Sequence, residues 1–188
     1  MVEFRRISNI VIIGLSGTGK TTSAKFLSEL LEMKHVDTDW MIEKITGTSV
    51  FDFISTYGEK LFREIEKKVV TSAAKQRKQI ISCGGGVVED VENIQALQNN
   101  GIIFCLWVDL DIAADRLKAS YERPILKNNI KKKLLHLSRI REEAYKKADI
   151  HICTDHKSAR EVAQEIFTIV TTEKSIKKEL FGDEQDSG

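Results

Sequence analysis

The stretch "NIVIIGLSGTGKTT" (Asn9 to Thr22) constrains this chain more than any other. A short apolar run ends in a glycine-rich turn that matches G-x-x-x-x-G-K-[ST] through Gly14, Gly19, Lys20 and Thr21. Ile10 to Ile13 carries no polar side chain, as a strand covered on both faces of a parallel sheet requires. Lys20 to Leu31 then spaces Ala24, Leu27, Leu30 and Leu31 along one helical stripe. Strand, turn and helix in that order are the context in which this motif cradles phosphate. Glycines let backbone N–H groups face an anion with no Cβ in the way, and the helix N-terminus adds a positive dipole end. A tight strand-to-helix turn with an incidental lysine is the competing reading, and it leaves the full match unexplained. The chain is therefore expected to bind a nucleoside triphosphate through Gly14, Ser16, Gly17, Thr18, Gly19, Lys20, Thr21 and Thr22. Lys20 would reach the outer phosphates, and the Thr21 hydroxyl would ligate magnesium.

The alternation continues down the chain. Strand-like runs at Lys34 to Asp37, Gln79 to Ser82, Ile102 to Val108 and Asp149 to Cys153 are separated by helical runs. The helical patterns cover residues 40–45, 49–57, 59–75, 91–98, 111–119, 130–147 and 159–170. Five strands separated by helices predict a parallel α/β sheet with right-handed crossovers. The 188 residues suit one domain with its own core, read as 1–173. The segment "KSIKKELFGDEQDSG", 174–188, reads as a flexible tail by its charge and its Gly/Ser/Asp end.

Composition narrows the class. Lys+Arg is 29 and Asp+Glu is 28, so there is no basic excess for general nucleic-acid binding. The basic run "KNNIKKK" (Lys127 to Lys133) reads as a solvated loop or helix start. Cys83, Cys105 and Cys153 are odd in number, lie in apolar runs and lack metal-site spacing. They predict buried, reduced thiols in a reducing cytosol. No apolar stretch reaches the length of a membrane span, and "MVEFRRISN" lacks a signal-peptide core. A cytoplasmic monomer without nucleic-acid or membrane partners is expected.

Later segments bear on what receives the phosphate. "DTDW" sets Asp37 and Asp39 at the end of the second strand, where residues two apart in an extended chain point the same way. One carboxylate can orient hydrated magnesium and the other can accept a hydroxyl proton. Asp is equally a good helix N-cap, and a helix follows. In "GEKLFREIEKK", Arg63 and Glu66 share a helix face, and arginine suits a bidentate grip on a carboxylate. A solvated Glu59–Arg63 pair accounts for the same residues. "ISCGGGVV" places Gly84, Gly85 and Gly86 at a strand's C-terminal end, where open α/β sheets bind ligands. A simple turn needs one glycine rather than three. "ERPIL" holds Arg123 beside the only proline, in a loop that either closes over a nucleotide or is an ordinary connection. "SRIREEAYKKAD" sets Arg141 and Tyr145 one turn apart, on what read alone is a charged surface face.

Together these pieces resemble the shikimate kinase family. Its pattern runs from the P-loop through DTD, G-E-x-x-F-R-x-x-E, GGG and RP-L to R-x-x-x-Y. Here it reads Gly14–Thr21, Asp37-Thr38-Asp39, Gly58-Glu59 with Phe62-Arg63 and Glu66, Gly84–Gly86, Arg123-Pro124 with Leu126, and Arg141 with Tyr145. Order and approximate spacing agree from about Ile10 to Val170, which favours function over the surface readings at Arg63 and Arg141. The resemblance implies a nucleoside-monophosphate-kinase-like three-layer fold: a five-stranded parallel sheet with helices on both faces, substrate-binding helices at about 38–66 and a mobile lid at about 120–130. It implies ATP- and Mg2+-dependent phosphorylation of the 3-hydroxyl of shikimate, giving shikimate 3-phosphate and ADP, a step of aromatic amino-acid biosynthesis.

By the same resemblance, Asp39, Arg63, Gly84, Gly85, Gly86 and Arg141 bind shikimate, with both arginines on its carboxylate and Glu66 holding Arg63. Asp39 is the candidate base, and Trp40 sits near the substrate. Lys20 and Arg123 stabilise the transferring group, Asp37 holds magnesium through water beside Thr21, and Arg116 falls where the family stacks an arginine on adenine. The chain departs from the pattern at Arg141-Glu142-Glu143-Ala144-Tyr145, where R-x-P-L-Y is frequent. It departs again in a lid rich in Lys and Asn, and at His156 and Lys157, where arginine is expected. A kinase of another small sugar acid or polyol, such as gluconate, shares the P-loop and the lid, but not DTD, FR-x-x-E and the triple glycine.

Overall fold

Side chains alternate across the first strand, β1 (Asn9–Gly14), and that alternation divides the core in two. Ile10 and Ile12 enter one apolar cluster, and Val11 and Ile13 enter another on the opposite face. A computed structural model describes residues 7–120 and 130–182; the expected lid, with Arg123, lies outside the described residues. Its remaining strands are β2 (Lys34–Asp37), β3 (Gln79–Ser82), β4 (Gly101–Trp107) and β5 (Ile150–Cys153). All pair in parallel, in the order β2-β3-β1-β4-β5. This is the five-stranded parallel sheet expected from the alternation.

Helices cover both faces, which is why the central strands β1 and β4 read as nearly continuous apolar runs. Helices α1 (Lys20–Leu31), α8 (Ala159–Thr172) and α9 (Lys174–Phe181) pack on Ile10, Ile12, Ile102 and Phe104. Helices α4 (Glu59–Lys75) and α5 (Val91–Asn100) pack on Val11, Ile13, Ile81 and Ile103. Each fully buried aliphatic side chain of this kind contributes about 1.5–3 kcal/mol. A smaller cluster of Ile42, Phe53, Phe62 and Val69 ties α2 (Thr38–Thr46) and α3 (Val50–Tyr57) to α4. Val108, Ala113, Ala114 and Leu134 join α6 (Leu110–Ser120) to α7 (Ile130–Tyr145). No helix among the described residues is long and apolar enough to cross a membrane.

The structure departs from the sequence reading in three places. Lys174–Phe181 is helix rather than loose tail, because Ile176 and Leu180, one turn apart, are buried in the cluster beneath α8. Cys83 and Cys105 are buried, whereas Cys153 is only half-buried near the end of edge strand β5. Asp37 and Asp39 do not both lie on extended chain: Asp37 is the N-cap of α2, and Asp39 is already in its first turn.

Candidate active site

The strand ends fix where chemistry can occur. Asp37 pairs in register with Ser82, and Ser82 with Ile12, so β2 and β3 end level with each other while β1 runs on to Gly14 beside β4. An open α/β sheet binds ligands at that edge. The turn after β1 can approach it only with glycine. A Cβ at Gly14 would lie 2.2 Å from the Leu106 carbonyl oxygen, and Gly19 caps α1 with φ 88°. Lys20 Nζ donates to the Leu15 carbonyl at 2.9 Å, so the lysine closes its own loop. Burial lowers the Lys20 pKa, while the charges of Asp39 and Asp37 work the other way.

Arg116 lies on the outer side of this loop. It donates to the carbonyls of Gly17 (3.3 Å) and Thr154 (2.8 Å), binding the loop to the segment before α8. A recess of about 260 Å³ there is lined by Thr18, Gly19, Thr22, Arg116, Thr154 and Lys157. Arg116 and Lys157, both expected near the adenine, thus line one recess.

Asp37 bears out the helix-cap reading and also reaches across to the phosphate-loop helix. Its Oδ1 accepts from the backbone N–H groups of Asp39 and Trp40, each at 3.1 Å, which makes it a helix cap. Its Oδ2 accepts from Thr21 Oγ1 at 2.8 Å and from Ser82 Oγ at 2.7 Å. Ser82 Oγ also pairs with His35 Nε2 at 2.8 Å. Among the described residues no group of three or more His, Cys, Asp and Glu side chains suits a metal. The hydroxyl of Thr21 beside the carboxylate of Asp37 is nonetheless an all-oxygen donor pair. That pair fits a hard cation which keeps most of its water.

Asp39 is half-buried over Gly84, where a Cβ would sit 2.3 Å from its Oδ1. Burial raises its pKa to about 6, helped by the charges of Asp37 and Glu66 and opposed by Lys20. Trp40 is exposed, with Lys44 Nζ 5.1 Å from its ring centroid. It shares with Asp39 and Thr21 a groove of about 700 Å³ that runs toward the outer edge of β2.

Gly84 and Gly86 are explained by what crowds them, whereas Gly85 makes only ordinary contacts. A Cβ at Gly86 would lie 2.4 Å from Arg63 Nη1, beneath the guanidinium. A Cβ at Gly85 would lie 3.5 Å from both Arg141 Nη1 and the Gly14 carbonyl, and 3.6 Å from Ser16 Oγ. Gly85 is therefore where the phosphate loop and the arginine from α7 come together. Tyr145 Oη donates to the Gly85 carbonyl at 2.8 Å, fixing the turn from the α7 side. Burial pushes the Tyr145 pKa up to about 12, which keeps it a donor.

Arg63 and Arg141 converge on the same point from α4 and α7. Arg63 donates to Glu66 (2.8 Å), Glu59 (2.9 Å) and Glu89 (2.8 Å). Burial alone would lower its pKa, but Glu66 and Glu89 more than reverse that, so its pKa is raised. Glu66 is 1% exposed, and burial raises its pKa against the pull of Arg63. Arg141 is 7% exposed, which rules out the surface reading of its helix face. It donates to Glu89 Oε1 through Nε (2.7 Å) and Nη2 (2.5 Å). Sequence reasoning missed Glu89, which joins both arginines from a 3-10 turn at Val87–Glu89. Its only signal was an acidic residue three places after the glycines.

A sequence model described as shikimate kinase matches residues 16–171 of this chain. The shikimate kinase of Thermodesulfovibrio yellowstonii is 38% identical over 161 residues, covering 85% of this chain and 93% of that protein. That of Caldicellulosiruptor saccharolyticus is 38% identical over 170 residues, covering 90% and 99%. Among solved structures, the shikimate kinase of Acinetobacter baumannii in complex with shikimate superposes with a TM-score of 0.83 and 31% identity. That likeness covers 91% of this chain and 97% of the other.

Proposed function

The chain belongs to the shikimate kinase family, and on that premise we propose that it transfers the γ-phosphoryl group of ATP to the 3-hydroxyl of shikimate. The observation that carries this reading is the convergence of Arg63 and Arg141 over the triple glycine, beside a carboxylate of raised pKa. Two arginines facing one point suit a small carboxylic acid, because a neutral sugar offers neither guanidinium a carboxylate to grip.

In the proposed reaction Arg63 and Arg141 hold the shikimate carboxylate, while the glycine backbone lets the ring lie close. Asp39 orients the ring hydroxyls. The 3-hydroxyl oxygen forms a bond to the γ-phosphorus, and its proton passes to an Asp39 oxygen. The bond from the γ-phosphorus to the bridging β–γ oxygen breaks, and that oxygen's electron pair leaves with ADP. A carboxylate titrating at about 6 is mostly ionised at neutral pH, yet more basic than an ordinary aspartate. Lys20 exchanges its Leu15 carbonyl for the outer phosphates, and Arg123 would help stabilise the transferring group. Phosphoryl transfer depends chiefly on such positioning and charge neutralisation. Thr21 and, through water, Asp37 would hold Mg2+, which supplies charge neutralisation between the phosphates. Arg116 would contribute to the adenine site. The chain is further proposed to act as a cytoplasmic monomer.

Coupled ADP release across an acceptor panel tests the reading. Release is expected with shikimate and not with gluconate or a neutral polyol. Turnover of gluconate but not shikimate overturns it.

A further inference from the structure

The two arginines proposed to clamp the substrate already hold a carboxylate, that of Glu89. Its Oε2 accepts from Arg63 at 2.8 Å, and its Oε1 accepts from Arg141 at 2.7 and 2.5 Å. The other two acids around Arg63 play different parts. Glu66 is buried one turn along the same helix, and Glu59 is largely exposed and pairs from the preceding turn. Glu89 alone among them spans both guanidinium groups. It does so from a different element, with about a third of its side chain open to solvent (32%).

The charge count makes the consequence specific. Two cations, Arg63 and Arg141, face three carboxylates, Glu59, Glu66 and Glu89. A bound acid would bring a fourth carboxylate to a cluster with one anion in excess. Like charges that close repel, and each arginine fork has a fixed number of donors. Glu66 cannot move out without burying an unpaired charge. Glu59 pairs with Arg63 and, among the described residues, not with Arg141, so its departure frees no place between the two arginines. Glu89 can swing toward solvent about its own side chain, because its backbone is anchored separately by the buried Val87 and Val88.

We infer that Glu89 is a tethered stand-in for the substrate carboxylate: it keeps Arg63 and Arg141 converged in the empty site and is exchanged for the incoming acid. This rests on the shikimate reading above. The exchange lowers apparent affinity, because only clamps that have released Glu89 can accept the acid. It also sharpens selection, since a neutral ligand has no charge to offer the arginines in place of the one it displaces.

The experiment is titration calorimetry of shikimate against wild type, Glu89→Gln and Glu89→Ala, with thermal melts confirming that each is folded. Removing the competing charge is expected to tighten shikimate binding by about three- to tenfold in both variants. A residue that merely braces the arginines would loosen binding when lost, so the direction of change separates the two roles. Unchanged or weaker binding in both variants, with normal wild-type turnover of shikimate, overturns the exchange alone. Absence of wild-type shikimate binding and turnover overturns the function reading, and the exchange with it.

Discussion

The proposed donor and acceptor halves of this site are built in opposite ways. The donor half is one continuous stretch, Gly14 to Thr22, shaped by backbone and closed by the Lys20 bond to Leu15. The acceptor half is assembled from side chains on α2, α4, the turn after β3, and α7. Backbone cradles depend on local conformation, so their function survives most changes elsewhere. A side-chain clamp depends on every element that positions it. Substitutions in the two halves should therefore fail differently, and the contrast can be tested in descending order of effect.

Lys20→Met should reduce turnover most, by about a thousandfold or more, since it removes charge at the transferring group. Shikimate binding should survive, and calorimetry checks this. If shikimate affinity fell in parallel, the two halves would not be separable.

Asp39→Asn should lower turnover by roughly a hundred- to ten-thousandfold. In wild type, kcat/KM should fall below a midpoint near pH 6, as Asp39 takes up its proton. The stability effect has the opposite sign. With its folded pKa raised from 3.8 to about 6, the native state binds the proton more readily than the unfolded chain. Ionised Asp39 therefore destabilises the fold above pH 6, and stability returns as pH falls from 6 toward 4. The Asn variant should melt higher than wild type at pH 8 and no higher at pH 4. A lower melting temperature at pH 8 would contradict the cost of holding Asp39 ionised in this site.

Arg141→Ala should raise the KM for shikimate about a hundredfold, as expected for a truncated, nearly buried charge-assisted contact. The KM for ATP should stay within about threefold, because the donor half is local. Gly84→Ala is a subtler test. Its Cβ would displace Asp39 Oδ1, and a shift of about 1 Å at a base lowers kcat by up to a hundredfold. Near-normal kcat in that variant would show that Asp39 has room to adjust.

The smallest effect on chemistry should come from Leu180→Ala on α9. It should destabilise the fold by about 2–3 kcal/mol by denaturant unfolding while leaving shikimate affinity unchanged. That variant calibrates how much of any acceptor-half defect is mere loss of stability.

The same contrast explains how much of the molecule was legible in its sequence. The donor half is a spacing rule within a dozen residues, with strand and helix periodicity on either side, so it reads directly. The apolar runs within β1 and β4 likewise reveal a sheet covered on both faces. Arg63 and Arg141 look like ordinary charged helix faces, because what buries them is contact across the chain; only the family's motif order singled them out. Glu89 meets Arg63 from 26 residues away and Arg141 from 52, on a turn too short to carry a periodic signal. α9 was lost to its charge: in "KSIKKELF" the one-turn spacing of Ile176 and Leu180 is the whole apolar signal. The Asp37–Asp39 pair was read as strand because "KHVD" is one, yet the chain turns helical within a single residue of Asp37.

The central claim is that these halves meet on shikimate, and the most direct measurement is the rate of ADP release against shikimate concentration in wild type and Arg141→Ala at saturating ATP. The account predicts shikimate-dependent release in wild type that saturates, and a curve displaced to about a hundredfold higher shikimate in the variant. Release independent of shikimate, or superimposable curves for the two proteins, would contradict it.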